Sequence, residues 1–394
     1  MMHSAILLKA EVKALQAANE QKKRRERKRK RRIMQGGSLS IREGEDILQS
    51  AEVNAQLRTE VASETTQQVG SIGRQRRCGT CGNMGHNAPT SYMSSSTKRS
   101  VLITGCSVGS SGHALALEFA NRGMRVFATA RSTNSLSQLE AKGIEILPLD
   151  VTSVESIAAL KAEITKRTGG KLDILFNNAG TMYEAPAVEA DIVRVRQMFD
   201  TNVFGLFDMT QAFLPLLLAS ASESRLPPTI INTSSIVSRV PFLFSANYNA
   251  SKAAVTSYSD TLRLELAPLG IKVVTLFMGE VSTKLMSPDN ISFGANSLYI
   301  DAEAGVQERS RSHAAKSIKP DEFARQVAHQ IFSNPALRKG EYVWKGTMAT
   351  LVWFLNAVGF RKIFDTSMES AVGLNKRTVK KAIYDNGQRS IKQE

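Results

Sequence analysis

From residue 98 onward, short β-branched runs alternate with amphipathic stretches of helical length. Apolar runs at 100–104, 125–130, 144–149, 172–176, 229–232, 272–277 and 341–344 predict seven strands. The spacing between them predicts helices at 113–121, 154–166, 248–266 and 321–332, and a long apolar one through 210–219. Gly123 ends the first helix, Ser132 caps a segment carrying Leu136 and Leu139, and Pro320 opens the last. Strands alternating with helices predict an α/β chain, a doubly wound parallel sheet covered on both faces.

Three stretches depart from this rhythm. Residues 1–96 are polar with sparse apolar positions; 5–20 predict one helix and 93–96 read as a linker. Residues 284–316 are long, polar and weakly patterned, the signature of a functional loop. Residues 347–360 are apolar, with Leu351, Val352, Trp353, Phe354, Leu355 and Val358 followed by Arg361 and Lys362. The chain therefore divides into a largely disordered basic extension (1–96), a sheet domain (97–346), and an apolar amphipathic helix with a basic tail (347–394).

Composition changes that picture only in places. Of 394 residues, 42% are hydrophobic, enough for a sizeable core and too many for a wholly disordered chain. Three cysteines exclude a disulfide scaffold and fit a reducing, cytoplasmic setting. The net charge is +15, but residues 1–96 carry +8 of it, with ten bases and one acid in 22–32. The high charge thus belongs largely to one short run, and nucleic acid is not the expected partner of the folded domain. That run leaves a second class open, a nucleic-acid-binding protein acting through its N-terminal bases. No secretory signal is evident, and no run reaches the roughly 20 apolar residues of a spanning helix. The apolar 347–360 segment admits two roles: a helix lying in a membrane surface, or a cover for the core or for a second copy in a homo-oligomer.

Chemistry concentrates at two places. Val101-Leu102-Ile103-Thr104 runs into Gly105-Cys106-Ser107-Val108-Gly109-Ser110-Ser111-Gly112. Glycines between a strand and a helix let the backbone approach a pyrophosphate while the helix amides face its charge. The second strand ends at Arg131, a cation for a ribose 2′-phosphate where an acid would repel one; this favours NADP over NAD, unless Arg131 is only a solvated strand-end base. Asp150 and Val151 follow the third strand and either receive the adenine edge or form a turn before the next helix. Further along, Tyr248 and Lys252 stand four apart on one helix face. An ammonium there would favour phenolate, giving a proton donor and acceptor that works near neutral pH. Ser235 lies thirteen residues before Tyr248, at the end of an apolar strand.

Together with Asn177-Asn178-Ala179-Gly180 and Asn202, these residues resemble the short-chain dehydrogenase/reductase family over residues 98–346. The resemblance implies a Rossmann fold. It implies catalytic roles for Asn202, Ser235, Tyr248 and Lys252. It implies an NADP site formed by Gly105, Ser107, Gly109, Gly112, Arg131, Asp150, Val151, Asn178, Ala179, Tyr248, Lys252, Val281 and Thr283. Within the family the chain looks most like the fungal NADPH-dependent branch that reduces acyl-dihydroxyacetone phosphate. That likeness implies a small lipophilic ketone as substrate and a peripheral place on endoplasmic reticulum or lipid droplets. Phe242, Leu243, Phe244, Met182 and Tyr183 are candidates to line an apolar pocket, or are ordinary packing.

Some residues depart from the family pattern. Relatives carry Gly and Ile at Ser110 and Ser111, so Ser110 would either crowd the phosphates or need a positive φ. Glu280 puts an acid beside the expected nicotinamide site. If these spoil the site, the chain is a non-catalytic cofactor-binding relative. In the extension, Cys78, Cys81 and His86 match three ligands of a zinc knuckle, but Ser91 stands at the fourth, so no metal site is expected. The extension resembles the tail of fungal transposases, as in a fused gene.

Overall fold

The computed structural model describes residues 98–222, 226–334, 336, 340–358 and 364–391. The expected 5–20 helix, the basic run, the cysteine-histidine motif, Arg361 and Lys362 lie outside them.

Seven strands form one parallel sheet in the order β3-β2-β1-β4-β5-β6-β7. They are β1 (Ser100–Ile103), β2 (Arg125–Ala130), β3 (Glu145–Pro148), β4 (Ile174–Asn177), β5 (Thr229–Ser235), β6 (Lys272–Met278) and β7 (Glu341–Lys345). β1, β4 and β5 are buried along their whole length, which explains apolar runs where a half-exposed strand would alternate.

Helices cover both faces. On one, α1 (Ser111–Asn121) packs Leu115 and Phe119 against Val101, Ile103 and Phe176. On the other, α2 (Val154–Thr168) sets Ile157, Leu160 and Ile164 against Leu102 and Leu175. α2 starts on Ser153, whose hydroxyl accepts from the Ser156 amide, and ends on Gly169 at φ 66. These are a serine N-cap and a left-handed glycine stop.

The chain next forms α3 (Ile192–Phe199), a π turn at Asp200–Phe204, and α4 (Gly205–Ala221). Together they make one apolar helix of 30 residues, long enough to cross a membrane and contrary to the expectation that no run reaches that length. Half of its most apolar window is buried, and Phe213, Leu216 and Leu217 lie in the core under the sheet, so it is a core helix. α5 (Ala246–Leu266) lies beside it.

The 284–316 stretch is only partly a loop. Its second half is a 17-residue helix, α6 (Ile300–Lys316), burying Ala302, Val306 and Ser310. The weak pattern follows from this narrow buried stripe, three residues on an otherwise polar helix. α7 (Pro320–Ser333) returns to the α1 face with Phe323, Ala324 and Val327. At the C-terminus come α8 (Ala349–Val358), α9 (Asp365–Ala371) and α10 (Arg377–Ile391). α8 buries Ala349 and Val352 against Ile236, Val240 and Phe364, and leaves Leu351, Trp353 and Phe354 about half exposed.

Sheet order reverses between β1 and β4. The chain leaves β1 toward β3, then crosses back to β4. The connections after β1 and β4 therefore diverge and open a crevice beyond the strand ends, where such sheets bind ligands.

Candidate active site

The glycine loop and the Asn178-Ala179 turn meet at this switch point. Thr104 Oγ1 accepts from the Asn178 and Ala179 amides, each at 2.9 Å. Asn178 Nδ2 donates to the carbonyls of Thr104 (2.9 Å) and Gly105 (3.2 Å). Two glycines are required by what surrounds them. At Gly105 (φ +73) a Cβ would stand 2.8 Å from Ala179 Cα; at Gly112 it would stand 2.3 Å from the Gly105 carbonyl oxygen. Asn177 itself turns inward, donating to Asn232 and Thr210.

Ser110 does not take a positive φ. It sits at φ −90, ψ 162 as the N-cap of α1, accepting from the His113 amide (3.1 Å) and donating to the Gly105 carbonyl (3.1 Å). The serine replaces a bare backbone with a cap, so this departure leaves the loop intact. Ser111 donates to Asn178 Oδ1 at 3.1 Å, tying the helix to the turn. Ser111 and Gly112 open α1, so their amides lack acceptors within the helix. The cradle fits a dinucleotide diphosphate: positive-φ glycines at 105 and 109 beside two helix-end amides.

Ser107 Oγ lies 3.3 Å from Ser135 Oγ. Arg131 is exposed at the end of β2 and acts electrostatically on Asp150. Asp150 is held below the usual carboxylate range by the Thr152 amide and hydroxyl, then by Arg131. Its Oδ1 accepts from both Thr152 groups, so the turn-forming role is realised. Val151 is buried against Gly205. Val281 is buried and bridges to Ile318. Thr283 Oγ1 accepts from the Leu285 amide.

Asn202, Tyr248 and Lys252 converge from α5 and the π turn. Asn202 Oδ1 accepts from the Thr181 amide at 2.8 Å, and its Nδ2 donates to the Thr181 carbonyl and to Ser251 Oγ. Lys252 Nζ donates to the Thr233 carbonyl at 3.0 Å and lies 5.8 Å from the Tyr248 ring centre. A Cβ on Gly180 would fall 3.3 Å from Asn202 Oδ1 and 3.5 Å from Lys252 Nζ, so both polar atoms point to one spot beside the turn. Ser235 ends β5, opposite Met278 in register, and its hydroxyl donates to the Met278 carbonyl at 3.2 Å.

The electrostatics differ from the expectation of a phenol acidified by its lysine. Burial pushes the Tyr248 phenol up, and the Glu184 carboxylate adds to this. Burial also pushes Lys252 down, to about 8. Enclosure without solvent disfavours both phenolate and ammonium. At neutral pH the tyrosine holds its proton and most of the lysine is charged.

Sequence reasoning missed three residues. Glu184 and Arg309, separated by 125 positions, form a buried ion pair. Lys284 lies across the phosphate loop, its Cε 3.6 Å from where a Cβ on Gly109 would be. A lone acid in Tyr183-Glu184-Ala185-Pro186 was the only available signal for the pair, and it did not name a partner. Glu280 turns toward His313 (3.9 Å) on α6 and pairs its backbone with Thr347. Among the aromatic candidates for pocket lining or packing, Phe244 packs against Phe293 and Tyr299, Tyr183 lies under Arg194, and Phe242 lies under Arg309.

Comparison with known proteins agrees with this architecture. The short chain dehydrogenase family matches residues 99–291. An NADPH-dependent 1-acyldihydroxyacetone phosphate reductase of Schizosaccharomyces pombe is 39% identical over 264 residues, spanning 64% of this chain and 86% of the relative. The short-chain dehydrogenase virD of Hypocrea virens is 38% identical, spanning 67% and 89%. A short chain dehydrogenase from Burkholderia cenocepacia, solved in complex with NADP, superposes with a TM-score of 0.53 at 25% identity, covering 69% of this chain and 97% of that one. With its parallel seven-stranded sheet and its glycine loop stapled to the Asn178 turn, this chain belongs to the short-chain dehydrogenase/reductase family of oxidoreductases.

Proposed function

We propose that this chain is an NADPH-dependent reductase that converts a lipophilic ketone, acyl-dihydroxyacetone phosphate or one of similar character, into a secondary alcohol. The observation that carries the reading is the convergence of Lys252 Nζ and Asn202 Oδ1 on Gly180, one helical turn from Tyr248 and beside the glycine loop. Arg131, where an acid would repel a 2′-phosphate, supports NADP over NAD.

The division of labour follows from the side chains. When bound, NADPH supplies the hydride for the carbonyl carbon. Ser235 turns its hydroxyl from the Met278 carbonyl to the substrate oxygen and orients it. Tyr248, protonated at neutral pH, gives its proton to that oxygen as the carbon–oxygen double bond becomes single. The charged Lys252 stabilises the phenolate left behind. Asn202 clamps Thr181 through both its amide and its carbonyl, fixing the backbone beside which a water returns a proton to the tyrosine.

Ketone-dependent NADPH oxidation by the full chain, screened over lipid, steroid and polyketide ketones, tests this. Tyr248→Phe should lower turnover roughly 10²–10⁴-fold, the usual worth of a positioned acid, and leave NADPH binding intact. Absence of NADPH binding by the unaltered chain would refute the reading.

The same proposal extends to location: a cytoplasmic enzyme resting on endoplasmic-reticulum or lipid-droplet surfaces. Support comes from Leu351, Trp353 and Phe354, exposed together on α8. Flotation with liposomes should retain the full chain and lose a Leu351→Ser/Trp353→Ser/Phe354→Ser variant. Equal partitioning would dismiss the membrane role.

A further inference from the structure

Glu184 and Arg309 are buried and paired within reach of the active site, and the mechanism above does not use them. Glu184 follows the Asn178 turn; Arg309 is on α6. Each does more than neutralise the other. Glu184 Oε1 also accepts from Ser245 Oγ at 3.2 Å. Arg309 donates to the Leu243 carbonyl at 2.8 Å and stacks 4.0 Å from the Phe242 ring centre. The pair thus joins three segments: the loop after β4, helix α6, and the 242–245 turn that leads into α5 and Tyr248.

That turn needs holding. Phe244 has φ +63, a left-handed conformation that a residue with a side chain rarely adopts. Its carbonyl is fixed by the Ala185 amide at 2.8 Å, next to Glu184, and its ring is clasped by Phe293 and Tyr299. A second grip repeats the arrangement: Glu189 accepts from Ser297 Oγ (2.5 Å) and the Leu298 amide (2.8 Å) just before α6.

We propose that Glu184 and Arg309 are positioning residues: their buried ion pair latches α6 to the turn that launches the Tyr248 helix. The proposal rests on Tyr248 being the proton donor. Two charged residues bear on the tyrosine: Lys252 from α5, beside its ring, and Glu184 from the loop after β4. Of these, Glu184 acts on the phenol as a like charge, opposing phenolate. Burial pushes the Glu184 carboxyl up, and Arg309 and Ser245 oppose that rise.

The test uses the full chain and the ketone it reduces best in the screen above. Glu184→Gln keeps the shape and the Ser245 contact but removes the charge. Loosening the latch should lower kcat for the ketone and speed hydrogen exchange in 242–248. NADPH affinity should stay within about twofold, a few tenths of a kcal/mol. Arg309→Lys keeps a cation and loses the fork that reaches Leu243 and Phe242. It should raise KM for the ketone and speed hydrogen exchange in 298–310, while β4 and β5 stay protected. Unchanged kcat and exchange in Glu184→Gln, or unchanged KM and exchange in Arg309→Lys, would overturn the proposal. Should Glu184→Gln fail to fold, the Arg309→Lys readouts decide. The underlying reading fails differently: Tyr248→Phe would then remain active.

Discussion

Lys252 Nζ donates to the Thr233 carbonyl at 3.0 Å, reaching from α5 into the last turns of strand β5. The bond fixes an ammonium in a fully enclosed place, where burial brings its pKa down to about 8. Unfolded, the same lysine titrates near 10.4. Between those values the unfolded chain binds more protons than the folded one, so stability from this group rises with pH. Below about pH 8 the folded chain bears the full penalty. Urea midpoints should therefore climb for the wild type relative to Lys252→Met as pH goes from about 8 to about 10. A constant gap between the two would contradict the burial of a charged lysine.

Ser110 is where this chain departs from the glycine of its relatives, and its role as a cap makes a discriminating pair. Ser110→Ala should cost about 1 kcal/mol, whereas Ser110→Gly should cost only a few tenths. Thermal unfolding gives the answer; an alanine variant as stable as the wild type would show the hydroxyl to be idle.

Gly112 has no room for a side chain, with the Gly105 oxygen 2.3 Å and Asn178 Nδ2 2.6 Å from an added Cβ. Gly112→Ala should destabilise by about 1–3 kcal/mol, the range for overpacking, and weaken NADPH binding by spreading the loop from the turn. Gly387 in α10 has nothing within 4 Å of such a Cβ. Gly387→Ala should stabilise by up to about 1 kcal/mol through helix propensity. Differential scanning calorimetry of the two variants should give shifts of opposite sign.

The Lys284 stem crosses Gly109 of the glycine loop, its Cε 3.6 Å from where a Cβ there would stand. Lys284→Met should raise the NADPH Kd about five- to tenfold, near 1 kcal/mol, and flatten its dependence on ionic strength. Fluorescence titration at two salt concentrations measures both. Equal affinity at low salt would exclude a phosphate contact.

Much of the fold was legible because it depends on neighbours in sequence. The buried strands β1, β4 and β5 show as continuous apolar runs, and α2 shows through its amphipathic spacing. The helix α6 was not legible, since its buried residues Ala302, Val306 and Ser310 are small or spaced among charges. The long α3–α4 helix was read only in part, because the π turn at Asp200–Phe204 interrupts the periodicity where Asn202 must face the site.

The sequence alone determined the strand–helix alternation, the glycine loop, and the one-turn spacing of Tyr248 and Lys252, since backbone periodicity and local capping act over a few residues. Only the tertiary structure decided that Ser110 caps rather than strains, that enclosure raises the tyrosine and lowers the lysine, and that Glu184 meets Arg309. Those outcomes depend on which distant segments exclude water together, and burial is a property of the assembled sheet and helices that no local stretch of chain carries.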